Sequence, residues 1–168
     1  TASGGTVALS STGSATIGAV TDNANGTYTA TVTNTVAESV TISGTLDGAD
    51  ITDTATITFT VGAADPTNAN TTLVAAPTSV VADGSTTSSV TVTLADANGN
   101  LLTASGGTVA LSSTGSATIG TVTDNGNGTY TATVTNTVAE SVTISGTLDG
   151  AAITDTATIT FTVGAADP

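Results

Sequence analysis

The chain has 168 residues, with 13 Asp and Glu and no Lys, Arg or His, so its formal charge is −13 and no side-chain ion pair can form. That balance excludes nucleic acid as a ligand, because phosphate binding draws on Lys and Arg, and it excludes attraction to anionic lipid for the same reason. With no Cys there are no disulfides, and without His, Cys or Lys nothing ordinary is available to activate a Ser or Thr nucleophile, so no enzyme is expected.

Every carboxylate must therefore face water, accept hydrogen bonds from amides or hydroxyls, or bind a metal ion. Only 8% of residues are charged and 38% are hydrophobic, which together with regular alternation predicts a folded chain rather than an acidic tail. No run of about 20 apolar residues is present, and direct membrane insertion is not expected.

The chain opens on TASGGTVALSSTGSATIG at Thr1, and the same run returns at Thr103. VGAADP closes both copies, at Pro66 and at Pro168. Between residues 1–66 and 103–168 the only differences are Ala19 against Thr121, Ala24 against Gly126, and Asp50 against Ala152. A repeat of about 100 residues is much longer than a solenoid unit, so each can bury its own core and count as a domain. Residues 67–168 are read as one complete domain and residues 1–66 as a partial one, holding the third to seventh strands and lacking the first two.

In the complete repeat the period-two pattern predicts strands over 71–75, continuing past Pro77 as 79–82, then over 89–96, 108–112, 117–122, 129–136, 141–148 and 153–163. No segment has the 3.6-residue period of a helix. Parity places Val90, Val92 and Leu94 inward, then Val109 and Leu111, Tyr130, Ala132 and Val134, Val142, Ile144 and Leu148, and finally Ala157, Ile159, Phe161 and Val163. The opposite parity is nearly all Thr or Ser, as expected for sheets with one face in the core and one in water. Asp124-Asn125-Gly126-Asn127-Gly128 and Asp149-Gly150 are hairpin signals. Seven short strands in about 100 residues predict an all-β, immunoglobulin-like Greek-key sandwich in tandem.

The run TTLVAAPTSVVADGSTTSSVTVTLADANGN from Thr71, GGTVALSS from Gly106 and TDNGNGTYTATVTN from Thr123 resembles the bacterial immunoglobulin-like domains of the invasin and intimin type. The resemblance spans the whole repeat. It implies a stalk unit of a cell-surface adhesin or extracellular fibre, with neighbouring identical repeats as its partners. Where such arrays bind calcium, it further implies rods stiffened at the domain junctions.

In a seven-stranded sandwich the loops after the second, fourth and sixth strands gather where the first strand begins. Here those loops carry Asp96, Asp124 and Asp149, and the linker arriving there adds Asp65, Asn68 and Asn70. Glu38 is expected from the lower end of the preceding domain. Such oxygen donors suit calcium, which takes six to eight hard ligands, and calcium is the one cofactor expected. Turn chemistry is the competing explanation, since Asp and Asn side chains bond nearby backbone amides. Neither DANGN nor DNGNG has EF-hand spacing, and the change from Asp50 to Ala152 argues against an essential ligand there.

The Thr rows, such as Thr154, Thr156, Thr158, Thr160 and Thr162, are read as favoured β-formers that solvate well. The leading function is a structural spacer at the bacterial cell surface or outside the cell. The alternative is a filament in which a strand from one copy completes the sandwich of the next. A carbohydrate- or receptor-binding module would require a surface aromatic or charged patch, whereas Tyr28, Tyr130, Phe59 and Phe161 all have core parity.

Overall fold

The computed structural model describes residues 4–164 and divides into two compact units, Thr1–Val61 and Gly62–Pro168. In the first unit, β1 (Val7–Ser11) pairs antiparallel with β6 (Ser39–Leu46), which also pairs with β7 (Ala49–Asp50) and β8 (Ala55–Thr58). Two short ladders complete it: β2 (Thr16–Ile17) with β5 (Val32–Thr33), and β3 (Thr21–Asp22) with β4 (Tyr28–Thr29). Among its described residues only Val40 and Ile42 are buried hydrophobics.

The second unit is a two-sheet sandwich. Its strands are β9 (Thr72–Ala76), β10 (Ser79–Val81), β11 (Ser88–Thr93), β12 (Val109–Ser113), β13 (Thr118–Ile119), β14 (Thr123–Asp124), β15 (Thr129–Thr135), β16 (Ser141–Leu148), β17 (Ala151–Ala152) and β18 (Ala157–Thr162). One sheet runs β10-β18-β16-β12 and the other β13-β15-β11-β9, with β17 added on β16 and β14 on β15. β10 lies parallel to β18, and the other pairs are antiparallel. The chain thus changes sheets between β9 and β10, at the cis Ala76–Pro77 bond, where the buried Ser88 hydroxyl donates to the Pro77 carbonyl.

The core follows the expected parity. Val90, Val92 and Leu94 face Val142, Ile144, Ile159 and Phe161 in one cluster, while the alternate Thr and Ser positions are exposed or half-buried. β16 matches its expected span of 141–148.

Three expectations need correction. The strand expected over 153–163 forms only from Ala157 to Thr162, because Ile153, Thr154, Asp155 and Thr156 stand opposite only Ser145 and Gly146 between the β17 and β18 ladders. Such a bulge turns side chains aside locally, and here it leaves Ile153 buried while Asp155 turns toward β9. The strand expected over 117–122 is cut to β13, Thr118–Ile119, and β14 forms only beyond it, at Thr123–Asp124, in a register on β15 shifted by one residue. Val163 is not inward but 80% exposed. It lies past the last β10–β18 pair, Val81 with Thr162, so no neighbouring strand is left to cover it.

Candidate functional site

At the end of the second unit where β9 begins, residues 62–71 fold onto the turn that follows β11. Gly62 N–H donates to Asp96 Oδ2, Ala64 bridges Asp96, and Asp65 N–H donates to the Ala95 carbonyl. The Thr71 hydroxyl donates to the Asp65 carbonyl at 2.7 Å and accepts the Ala95 amide at 3.0 Å, from a residue only 1% exposed. Farther along, Thr154 N–H reaches the Pro66 carbonyl. The linker is therefore built into the sandwich.

Asp96 is the centre of this arrangement and is buried. Its Oδ1 accepts the amides of Asn98 and Asn100, both at 2.9 Å, and its Oδ2 accepts Gly62. The Asn100 side-chain amide also donates to Oδ2 at 3.0 Å. The Asn100 side chain, then the Gly62 amide, favour the charged form and lower the Asp96 pKa to about 2. In a chain with no Lys, Arg or His, this carboxylate is held by N–H donors.

The other expected ligands are also engaged, each in its own turn. Asp65 Oδ1 accepts the hydroxyl and amide of Thr67, and the hydroxyl first, then the amide, lowers its pKa. Asn68 Oδ1 accepts the Asn70 amide, while the side-chain amides of Asn68 and Asn70 donate to Ala97 and Gly99. Asp124 accepts Gly126 N–H and is lowered first by the Ser105 hydroxyl and then by that amide. Asp149 accepts Thr108 N–H at 2.8 Å. Asp149 and Gly150, at φ 49° and 86°, form the two-residue turn with both φ positive that suits a hairpin.

Glu38 belongs to the first unit, where its Oε1 accepts Ser14 N–H at 2.6 Å and the Asn34 side chain at 2.8 Å. Ser14 first, then Asn34, lowers its pKa, and Glu140 repeats the arrangement with Ser116 and Asn136. The structure thus brings Asp65, Asn68, Asn70 and Asp96 into one linked set, with Asp124 and Asp149 on adjoining turns of the same end. Among the described residues, no three acidic side chains form a group that could hold a metal ion.

Sequence reasoning missed Thr71, Ser88 and Asp155. Asp155 Oδ2 accepts the Leu73 amide at 2.9 Å, tying β9 to the bulge before β18. Their polar side chains lie within the ordinary Thr, Ser and Asp background of the sequence, and only the fold distinguishes them.

A Greek-key sandwich with β10 crossing to pair parallel with β18, and with its interstrand turns fixed by Asp and Asn, defines an immunoglobulin-like domain. The family model for invasin domain 3 matches residues 1–62 and again 67–164, and the chain belongs to that family of bacterial adhesin domains. Among solved structures it is similar to invasin, described as a bacterial integrin-binding protein, at 27% identity over 95% of this chain and 33% of that one, with a TM-score of 0.62. It is also similar to the Escherichia coli adhesin FdeC, at 27% identity over 97% and 54%, with a TM-score of 0.65. Yersinia pseudotuberculosis InvD matches at 32% identity over 98% and 50%, with a TM-score of 0.60. The chain spans between a third and just over half of each of these proteins.

Proposed function

We propose that the chain is a spacer segment of a bacterial surface adhesin, in which serial domains carry a binding element away from the cell. The observation that carries this reading is the recurrence of residues 1–66 as 103–168 with three differences. Duplication without divergence adds length and no new chemistry. The exposed faces of the second unit, rows of Thr on β15, β16 and β18, support the same reading because they offer no aromatic or charged patch for a ligand. Uniform negative charge also discourages one repeat from collapsing on another. In this reading the acidic turns brace the fold, and the second unit needs no calcium to form.

The test is to express arrays of two, four and eight repeats, image them, and measure binding of each to host-cell and glycan surfaces. Contour length rising in proportion to repeat number, without gain in binding, is the expected result. Saturable binding to a receptor or glycan by the repeats alone would overturn the spacer role.

A further inference from the structure

In the second unit the first and last segments of the sandwich run side by side in one direction. The Leu73 amide is held by Asp155 at 2.9 Å, just ahead of β18, and Thr154 N–H reaches the Pro66 carbonyl at 3.2 Å. Farther along, β10 pairs in parallel with β18, from Ser79 with Thr160 to Val81 with Thr162, and this is the only parallel pair among the described residues. Gly164 leaves beside Val81, whose side chain would lie 3.4 Å from a Cβ added there. The chain therefore enters the sandwich beside the start of β18 and leaves it at the end of β18.

That layout decides how the unit meets a pull on its ends. Tension draws Gly62 one way and Gly164 the other, so residues 73–81 must slide along residues 155–162. Hydrogen bonds of a parallel pair cross between the strands, and sliding strains them together instead of one after another. At the two ends of the ladder, Thr160 N–H donates to the Thr78 carbonyl and Ala82 N–H to the Thr162 carbonyl, both at 2.8 Å. Burial fixes the register as well, because Val80 and its partner Phe161 are 6% and 2% exposed. A slip of one residue would turn Val80 outward and Ser79 inward. Ahead of this seam, Gly62, Asp65 and Thr71 fasten the incoming chain to Ala95 and Asp96, and β9 is held along β11.

We propose that the β10–β18 seam is a tension clamp, and that the second unit has the further function of carrying a stretching force from Gly62 to Gly164. The force passes between the first and last segments, while β12, β15 and β16, with the core residues on them, stay out of line with the pull. Neither metal nor covalent cross-link is needed, because the resistance comes from strand direction, register and the burial of Val80 against its neighbours. The proposal rests on the spacer reading, which supplies the reason for a force on the ends. Its test pulls on one unit and is blind to what the array binds, so the two can fail separately.

The chain has no Cys, so introduced thiols give unique handles for optical tweezers. One version of the whole 168-residue chain carries Ala63→Cys with Val163→Cys and is pulled along the seam. Another carries Ser85→Cys with Val163→Cys, both past the downstream ends of β10 and β18, and is pulled so that the seam opens bond by bond. All three positions are exposed, and the first unit lies outside both tethers. Under equal load the first version should unfold at least about tenfold more slowly, the effect of roughly one shared hydrogen bond on a barrier. Ala82→Pro removes the donor to Thr162 on an edge strand, where proline is tolerated. It should speed unfolding of the first version by at least about tenfold and affect the second less. If Ala82→Pro does not fold, the comparison of the two tethers decides alone. Equal or reversed rates for the two tethers, or equal acceleration of both by Ala82→Pro, would each overturn the proposal.

Discussion

Leu46 and Leu148 end the same strand in the two copies of one sequence, yet Leu46 is 39% exposed and Leu148 is 4% exposed. Ile51 and Ile153 repeat the contrast, at 41% and 4%. The local residues are the same, so the difference comes from the strands that cover them. Burial here is a property of the completed sandwich, not of the strand.

That contrast can be measured as stability. Leu148→Ala removes a buried side chain from a packed core and should cost about 3 kcal/mol, within the range for such truncations. Leu46→Ala removes a side chain already partly in water and should cost about 1 kcal/mol or less. Urea unfolding of the two variants, followed by tyrosine fluorescence, checks both values. Equal costs would mean that the first unit is closed as tightly as the second.

Strand parity was legible along most of the chain because the alternation of Val or Ile with Thr is nearly unbroken, and Val142 and Ile144 are buried where the pattern places them. The break before β18 was not legible. Ile153, Thr154, Asp155 and Thr156 keep an acceptable strand composition, and the bulge arises from pairing with β16, a long-range event that periodicity cannot register. Val163 failed for a related reason, since parity says which way a side chain points but not whether a neighbouring strand reaches it. At the candidate site the clustering of Asp and Asn on one end was readable from topology. What each carboxylate bonds depended on backbone amides, which have no sequence signature, as with Gly62 on Asp96.

Asp96 makes the second unit sensitive to acid in a definite direction. Its pKa falls from an ordinary 3.8 to about 2 in the fold, so its contribution is fully present above about pH 4 and is lost as pH falls through 2. Asp65, Asp124 and Glu140 are lowered too and act with the same sign. The melting temperature should therefore fall steadily between pH 4 and pH 2. Asp96→Asn should melt lower at pH 7 and show a shallower acid slope, and an unchanged slope would remove Asp96 from this role.

Two glycine positions separate backbone strain from crowding. Gly128 has φ +83°, and a Cβ there would overlap the Leu102 backbone, so Gly128→Ala should cost about 2 kcal/mol or more. Gly126 has φ +73° with open space around it, and the first copy carries Ala24 in its place at φ 56°. Ala24→Gly should stabilise the first unit by about 1 kcal/mol, because glycine holds a left-handed conformation without the Cβ penalty. Urea midpoints of the two variants should move in opposite directions, and a shift in the same direction would contradict these backbone conformations.

Calcium addition tests what the acidic turns are for. Binding at Asp96 would require its oxygens to give up the amides of Gly62, Asn98 and Asn100, which already satisfy a buried carboxylate. At Asp65 the ion would compete with Thr67, and at Asp149 with Thr108. At matched ionic strength, millimolar calcium and excess chelator should therefore give the second unit the same melting temperature. A clear rise with calcium, abolished by Asp124→Asn or Asp149→Asn, would instead assign these turns to a metal site and make them the point at which the array is stiffened.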